Sequence, residues 1–498
     1  VWTVTGNPMS GSQKGLIQIE VEGHILGAIP LVGPPLQRLL IGGEEVGNLT
    51  LTHLYFLHVA LLPLVVGGLC ALHLQQIFRH GVSSEPVAAG SSTGGTPPLP
   101  YWPYQSVRNW TVFAGLMGLI SWWAWMHGAP LDAPADPALP SMPRPEWYFR
   151  WIFELRRSFT GDSEFLVTVV LPSVVLAFFM GIPLYDKWLS RRMSALFRVA
   201  VVLGALGSGV WLTWTSLNRD WNDPEYLAAQ EKSRELAERA QFLADEQHVT
   251  AAGAAALLRD DARTQGPLLF ARNCSMCHDY VDDQGRGIAS ESPSAPNLFG
   301  FGSSQWIEGM LDPQRIVSSQ VFGNTKFKKG DMSGKIRSLF KEAGETGVDK
   351  LKGELRLIAR ALSAEARLPS QTTQDEQDHA EIKQGQKLLI EVGCTECHKY
   401  QGEGDLGMAP DLTGYASRDW LSGMISNPAG ERFYPEDRND RMQQFAADAL
   451  HPDLNLLSAD ELRLIVDWLR GEWVESKPAQ ETPEPASETL KRPLVTEK

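Results

Sequence analysis

Two motifs of the form Cys-X-X-Cys-His stand 120 residues apart in this chain, at 274–278 and 394–398. Paired thiols followed at once by an imidazole are the attachment signature of c-type haem, in which the thiols bond the vinyl groups and the histidine ligates the iron. A zinc site would need a second ligand pair at suitable spacing, and neither motif has one. The predicted covalent attachment residues are Cys274, Cys277, Cys394 and Cys397.

Each of these irons also needs a sixth ligand, and a methionine thioether in that place raises the reduction potential. Met310 and Met424 follow a tryptophan at helical spacing and are expected to be core residues. Met332 and Met442 lie in polar loops further downstream, where small cytochromes c place this ligand. The sequence therefore predicts two covalent haem c groups with four iron ligands: His278, Met332, His398 and Met442.

Two further histidines, His58 and His73, lie fifteen residues apart in the apolar stretch 51–78. In a helix the two rings would share roughly one face and stand about 22 Å apart along the axis, most of the roughly 30 Å hydrocarbon depth of a bilayer. A polar ring in such a span needs a partner. Each ring could hydrogen-bond a neighbouring helix, but the spacing, with Gly67 and Gly68 between, favours two haem irons.

A fourth group of residues, Pro145-Glu146-Trp147-Tyr148, follows a proline-rich loop. A carboxylate beside the membrane with aromatic walls could take a proton from a quinol hydroxyl and carry it towards water. The alternative is an interfacial aromatic belt with a solvated glutamate.

The elements that position these residues divide the chain into two unlike parts. Residues 1–216 carry as many basic as acidic side chains, so the remainder carries the whole net charge of −14. A neutral, Trp-rich, apolar part joined to an acidic part predicts a membrane anchor with an extramembrane domain. The acidic part argues against nucleic acid as a partner, because a polyanion would be repelled. Residues 1–20 are too polar for a signal peptide, so we expect an earlier segment or another polypeptide to supply the first membrane helices.

Four segments are predicted to span the membrane, at about 51–78, 107–127, 165–185 and 199–217. Cys70, in the first of them, is expected to be a small packing residue. Basic residues concentrate in the loop between the third and fourth spans, which should therefore face the cytoplasm. The Glu146 loop and everything after residue 217 then face outwards, so both haem-attachment motifs lie outside a bacterial inner membrane, where thioether attachment takes place.

The polar part contains an internal repeat. Residues 295–300 match 409–414, and 306–310 match 420–424, in the same order after each Cys-X-X-Cys-His motif. Matched blocks in one order predict two copies of a domain. The predicted organisation is a membrane domain at 1–217, a helical linker at 218–261, cytochrome c domains at 262–370 and 371–475, and a disordered tail at 476–498.

Read together, the segments 27–33, 51–58, 134–137 and 145–148 resemble the carboxy-terminal part of cytochrome b from quinol-oxidising cytochrome bc complexes. The histidine spacing is closer to the cytochrome bf branch, in which this region is divided between cytochrome b and subunit IV. The repeats resemble class I cytochromes c. The resemblance implies an all-α fold: four transmembrane helices of a cytochrome b-type bundle, followed by two tandem α-helical cytochrome c domains.

Carried over by this resemblance, His58 ligates the low-potential haem b near the outer face and His73 the high-potential haem b near the cytoplasmic face. Both haem b groups are shared with a partner chain, because the family's opposite histidines lie on an earlier helix. Glu146 is then the proton acceptor of the outer quinol site and Tyr148 lines it, with Pro145 and Trp147 completing the motif.

The chain also departs from the family pattern. His53 stands where the family usually has an arginine that contacts a haem propionate, and Phe78 stands where a polar quinone-site residue is common. Arg79 or His80 could substitute for the latter. No Rieske motif is present, so the resemblance implies a separate iron–sulfur protein.

These observations predict a membrane subunit of a quinol:cytochrome c oxidoreductase that conserves energy by proton translocation. Its expected partners are a cytochrome b amino-terminal subunit, a Rieske protein, quinone and a downstream cytochrome c or oxidase, in a homodimeric complex. The alternative is a non-catalytic conduit, in which the membrane part merely anchors two cytochromes c that serve another oxidoreductase.

Overall fold

The computed structural model describes residues 2–81, 101–128, 131–139, 141–159, 161–163, 165–185, 188, 190–434, 439 and 442–475. It divides the chain into two compact units, 1–241 and 242–498. The described residues are mostly helical, with one two-stranded hairpin, in agreement with the all-α prediction. Residues 82–100, between the first two predicted spans, and all of the predicted disordered tail lie outside the described residues.

The first unit is built from short amino-terminal helices followed by longer apolar ones. Its helices are α1 (Trp2–Gly6), α2 (Gln13–Gly27), α3 (Gly33–Ile41), α4 (Asn48–Phe56), α5 (Leu62–His80), α6 (Ser106–His127), α7 (Arg150–Arg157), α8 (Leu171–Met180), α9 (Ile182–Tyr185), α10 (Arg191–Trp221) and α11 (Pro224–Gln247), the last crossing the boundary between the units. Short 3-10 turns lie at Asn7–Ser10, Trp147–Phe149 and Gly161–Ser163, and π-turns at Leu57–Leu61, Tyr101–Gln105 and Leu166–Val170. Helix α11 lies within the segment predicted as a helical linker, 218–261.

The second unit contains two similar sets of helices and one small hairpin. Its helices are α12 (Ala254–Arg259), α13 (Ala262–Asn273), α14 (Ser304–Met310), α15 (Asp331–Ala366), α16 (Thr372–Gln377), α17 (His379–Glu391), α18 (Arg418–Ser426) and α19 (Ala459–Arg470). Strands β1 (Tyr280–Val281) and β2 (Gly287–Ile288) pair antiparallel. Short 3-10 turns lie at Lys326–Lys329, Pro369–Gln371, Cys394–Glu396 and Pro452–Leu454.

The histidine-bearing segment forms one long apolar helix from α4 through the π-turn to α5. The π-turn precedes Pro63, which has no N–H to donate to the preceding turn, and the wider turn accommodates the proline ring. Since a π-turn takes up one extra residue, fifteen residues separate His58 and His73 as fourteen would in a regular helix. Viewed along the helix axis, the directions of the two histidines therefore differ by about 40°, instead of about 60° as expected for fifteen residues of regular helix.

Only two helices in the described part of the chain are long and apolar enough to cross a membrane: Leu49–His80 and Arg192–Trp221. They correspond to the first and fourth predicted spans. The other two predicted spans are also helical, as α6 and as the shorter apolar helix Leu166–Met180, but they do not reach the same length and hydropathy. Two of the four predicted spans therefore have the length and apolar composition that a membrane crossing needs. Cys70, predicted to be a small packing residue, is exposed in this chain.

The short helices α1 and α3 pack against α4, which is the amino-terminal part of the histidine-bearing helix. Helix α7 packs against α10. By contrast, most side chains of α5, α6 and the middle of α10 are exposed, including large apolar ones such as Leu64, Trp125 and Trp211. A helix that is apolar all round needs lipid or other helices to cover it. The membrane part of this chain therefore presents bare apolar faces to its surroundings.

The second unit has one hydrophobic core that both copies of the repeat share. The first helix of copy one, α13, packs on the last helix of copy two, α19, while α17, the first helix of copy two, packs on α15, the last helix of copy one. The predicted boundary at 370/371 thus separates the copies in sequence but not in packing. We refer to this arrangement as the helix exchange.

Candidate functional site

The two Cys-X-X-Cys-His motifs have the same local geometry. His278 Nδ1 lies 2.8 Å from the carbonyl oxygen of Pro296, and His398 Nδ1 lies 2.8 Å from that of Pro410. A ring that donates its Nδ1–H to a carbonyl has its tautomer and orientation fixed and presents Nε2 for a metal. Both histidines are therefore oriented as iron ligands should be.

The repeated tryptophans each bond the residue that follows the proline whose carbonyl orients the histidine. Trp306 Nε1 donates to the carbonyl of Asn297 at 2.9 Å, and Trp420 Nε1 donates to that of Asp411 at 2.7 Å. Asn297 and Asp411 each follow the proline that accepts from the histidine. The three blocks of the sequence repeat thus form one hydrogen-bonded frame around the iron ligand.

Burial keeps the attachment groups neutral. It raises the pKa of the Cys274 thiol to about 12 and that of Cys394 to about 11, and it lowers the pKa of both His278 and His398. Neutral imidazole is the form that binds a metal. All four motif cysteines are free thiols, as haem attachment requires. The donor set therefore fits covalent haem c, although haem number and axial methionines stay predictions.

The four candidate methionines occupy different surroundings. Met424 is buried and Met310 packs against the core, as predicted. Met332 does not lie in a loop as expected, because Asp331 begins α15 and places it in the first helical turn. Met442 follows a non-helical stretch in which Asn439 hydrogen-bonds both its N–H and its carbonyl, at 3.1 and 2.7 Å. Both predicted ligands are half-buried at the edge of the core.

The first of the two membrane histidines, His58, is held by the amino-terminal helix. Thr5 Oγ1 lies 3.0 Å from His58 Nδ1, and Gly6 approaches the ring so closely that a Cβ there would stand 2.8 Å from His58 Cε1. Thr5 is fully buried. The Nδ1 side of His58 is therefore fixed by residues 5 and 6, which no local sequence pattern connects to this histidine.

The second of the two membrane histidines, His73, lies in an exposed part of the helix. His73 is exposed, and a Cβ on Gly67 or Gly68 would meet nothing within 4 Å among the described residues. The face of the helix between the two histidines thus has room for a bulky planar group. His53 instead lies 3.3 Å, through Nδ1, from the carbonyl of Leu39 near the end of α3.

The Pro-Glu-Trp-Tyr segment lies where α2 begins. Glu146 Oε1 accepts a hydrogen bond from Lys14 Nζ at 2.7 Å, and both side chains are about one third exposed. Tyr148 packs edge-on against Trp147 and Phe149, with ring centroids 5.5 and 4.9 Å apart. Trp147 is exposed. The carboxylate therefore stands between an aromatic cluster and water, with a lysine that no sequence signal connected to it.

The segment is fixed from both sides by a buried carboxylate at the end of α10. Asp220 accepts from Arg144 Nε at 3.1 Å and also from Arg150. Asp220 is 4 % exposed, so this is a buried ion cluster whose members depend on each other. The arginines flank residues 145–148, which are thus held at the carboxy-terminal end of α10.

The proline-rich loop is docked onto the residues that precede and begin α2. Gln13 N–H donates to the carbonyl of Ala133 at 2.8 Å, and Gln13 Oε1 accepts from Asp136 N–H at 2.7 Å. Gln13 and Asp136 are both buried. Residues 11–14 therefore position the loop that resembles a quinol-site loop.

A second carboxylate lies two turns along the same helix. Lys14, Gln18 and Glu22 are spaced four residues apart on α2 and share one face. Gln18 Nε2 donates to Glu22 Oε1 at 2.7 Å, and Glu22 Oε2 is buried with no hydrogen-bond partner among the described residues. Burial raises the pKa of Glu22 to about 7. This polar row leads from the Glu146 ion pair into the amino-terminal helices.

Comparisons with known proteins cover both parts of the chain. A family model described as cytochrome b (N-terminal)/b6/petB matches residues 1–134, and a cytochrome c family model matches residues 382–473, which is the second copy of the repeat. The first match includes both membrane histidines and the start of the proline-rich loop.

Curated relatives are cytochromes b. One from Rhodobacter capsulatus strain ATCC BAA-309 is 29% identical over 163 residues, covering 29% of this chain and 35% of the relative. One from Albinaria caerulea is 27% identical over 183 residues, covering 35% of this chain and 48% of the relative. The chain thus spans between a third and a half of the relatives it matches. The resemblance seen in the sequence is confirmed: residues 1–134 are similar to cytochrome b and residues 382–473 to cytochrome c, which supports a fusion of the two.

Proposed function

We propose that this chain is the membrane subunit of a quinol:cytochrome c oxidoreductase, with Glu146 as the proton acceptor of its quinol site. The observation that carries the proposal is the position of Glu146, paired with Lys14 and held between the buried Asp220 cluster and the docked proline-rich loop. A carboxylate fixed beside aromatic side chains and one third exposed to water can take up a proton on one side and release it on the other.

The ion pair gives Glu146 two positions. As a carboxylate it is held by the Lys14 ammonium at 2.7 Å. When it takes a proton from a quinol hydroxyl it loses its charge and therefore most of its attraction to the lysine. The side chain is then free to turn towards water and release the proton. After the proton is released, Lys14 attracts the charged Glu146 carboxylate back to its first position, ready for the next quinol.

The membrane histidines support a site completed by a partner chain. His58 and His73 lie on a helix whose inner part is bare, and the described chain places no second histidine opposite either of them. We infer that a cytochrome b amino-terminal subunit supplies the opposite ligands of two haem b groups. Haem b and haem c, when bound, supply one-electron transfer. The remaining proposed partners are a Rieske protein, quinone, and a downstream cytochrome c or oxidase, in a dimeric complex.

The proposed orientation is multi-pass in a bacterial inner membrane, with the cytochrome c copies and the Glu146 loop on the outer side. Basic residues between the third and fourth proposed spans support it. We further propose that α6 and the helix at Leu166–Met180 cross the membrane with the two longer helices.

Substitution of Glu146 by Gln tests the catalytic proposal. The amide keeps the shape of the side chain but cannot accept the proton, so we expect quinol-driven reduction of cytochrome c to fall at least 100-fold. Glu44→Gln is the matched control, because Glu44 is an exposed partner of Arg38 at 3.0 Å, away from the loop. Full activity in Glu146→Gln would refute the proposal and favour the anchored conduit.

The ratio of haem b to haem c in the purified complex separates the same two functions without an activity assay. The enzyme is expected to contain the two in about equal amounts when it is purified through a tag on this chain. A pyridine haemochrome spectrum with haem c alone would mean that His58 and His73 bind no haem, and it would contradict the proposed partner-completed sites.

A further inference from the structure

The helix exchange extends beyond the helices to the residues around each haem-attachment motif. In the pairing of α17 with α15, a Cβ on Gly385 would stand 2.0 Å from the carbonyl oxygen of Leu357, so the backbones are in direct contact. In the pairing of α13 with α19, a Cβ on Gly266 would stand 2.2 Å from Cβ of Trp468. Each attachment motif therefore begins on a helix that is packed against the last helix of the other copy.

The two pairings are equivalent, because the last helices carry the same five residues. Glu-Leu-Arg-Leu-Ile stands at 354–358 in α15 and at 461–465 in α19. In this alignment Ala361 corresponds to Trp468, and these are the positions that Gly385 and Gly266 approach. The exchange thus repeats the same contact twice rather than arising from one accidental crossing.

Side chains next to the second motif also belong to the last helix of copy one. Tyr400, two residues after His398, donates its hydroxyl to Glu365 Oε1 at 2.9 Å. The N–H of Gly414 donates to Glu365 Oε2 at 3.0 Å. At the first motif the corresponding Tyr280 packs on Trp468 of copy two, with ring centroids 4.2 Å apart.

The start of α15 lies at the second motif as well. Lys335 Nζ lies 2.9 Å from Oε2 of Glu396, which stands between Cys394 and Cys397. Met332 is three residues before Lys335 and therefore on the same side of the helix. Although Met332 belongs to copy one, its helical turn faces the haem-attachment motif of copy two.

Equivalent residues of the two copies meet each other where the copies touch. Phe301 and Tyr415 have ring centroids 5.6 Å apart, and a Cβ on Gly302 would stand 2.6 Å from Cβ of Ala416. Contact between equivalent positions is the mark of a two-fold relation. What holds for Met332 and the second motif should therefore hold for Met442 and the first.

We propose that each haem c iron takes its histidine from one copy of the repeat and its methionine from the other, pairing His398 with Met332 and His278 with Met442. The inference rests on the proposed pair of haem c groups but not on quinol oxidation. Each haem would join the two copies by covalent bonds to one and an iron–sulfur bond to the other. Neither copy alone could then form a complete site.

Two double variants of the full chain test the pairing. The thioether bonds keep both haems attached, and the readout is the weak far-red absorption band of a ferric haem ligated by methionine sulfur. His398→Gly with Met332→Ala removes both ligands from one haem under the proposal, so we expect about half of the band to remain, from the untouched pair of His278 and Met442. His398→Gly with Met442→Ala damages both haems and should abolish the band.

Ligation within each copy predicts the opposite result for these two variants, and that result would overturn the proposal. Loss of the band from both variants would overturn it too, because the first variant leaves one proposed pair intact. The corresponding variants with His278→Gly repeat the test from the other haem. Met408→Ala, at an exposed methionine, is the control and should keep the full band.

Discussion

Replacing Gly385 by Ala should destabilise the dihaem part of the molecule through the helix exchange. The added methyl would lie 2.0 Å from the carbonyl oxygen of Leu357 and 2.6 Å from its carbon, far inside van der Waals contact. Both atoms belong to the helix backbone, so no side chain can turn aside and the helices must separate by more than about 1 Å. Overpacking of this kind costs about 1–3 kcal/mol, which exceeds the gain of about 0.5–1 kcal/mol expected for Gly→Ala in a helix.

Gly353→Ala is the matched control, because Gly353 lies in α15 with nothing within 4 Å of its added Cβ. This variant should be neutral or more stable by about 0.5–1 kcal/mol. Guanidinium unfolding of the full complex, followed through the circular dichroism of the haem absorption bands, measures both. If Gly385→Ala is as stable as Gly353→Ala, α17 does not pack on α15 as described and the helix exchange is refuted.

Two other carboxylates give separate predictions. Burial raises the pKa of Glu22 from its ordinary value of 4.5 to about 7, so the folded chain holds this proton more tightly than the unfolded chain does. The resulting stabilisation of the fold is complete below pH 4.5 and is lost as the pH rises through 7. A carboxyl infrared band titrating near pH 7 should therefore be present in the protein and absent from Glu22→Gln. Asp220→Asn should leave Arg144 and Arg150 without their buried counter-charge, at a cost of roughly 3–5 kcal/mol; faster proteolysis at residues 131–148 would show it, and an unchanged cleavage rate would contradict the buried cluster.

The local chemistry of the haem c motifs could be predicted from the sequence, and the hydrogen bonds explain why. The repeated blocks that identify the two copies also contain the prolines, Pro296 and Pro410, that orient each histidine. Because these contacts join residues that are close in the chain, short segments of the sequence are enough to predict them. The structure adds only which atom of each block is used.

The helix exchange could not be predicted, because both possible pairings bury the same faces. The last helices carry the same Glu-Leu-Arg-Leu-Ile segment, so α13 would find matching side chains on either of them. The local sequence therefore does not determine whether α13 packs on α15 or on α19. The length and path of the connecting chain determine it. For the same reason, the Lys14–Glu146 pair, formed by residues 132 apart in the sequence, has no local signal.

The membrane spans show where composition misleads. Trp-rich α6 is as long as a membrane span needs to be. Its polar ends and indole nitrogens lower its mean hydropathy, however, so it is less apolar than Leu49–His80. Tryptophan favours the membrane interface rather than the hydrocarbon core. Its abundance in the sequence indicates proximity to a bilayer more surely than it indicates a crossing.

The helix exchange also sets the order in which the polypeptide can mature as it is made. Gly266 lies in the helix that leads into the first attachment motif, but its contact Trp468 emerges about 200 residues later, and contacts of such high sequence separation form slowly. The first motif is therefore kept from its final packing until α19 has been made. Such a delay leaves Cys274 and Cys277 accessible to the machinery that attaches haem. The packing around the first motif is then completed only when α19 folds against α13.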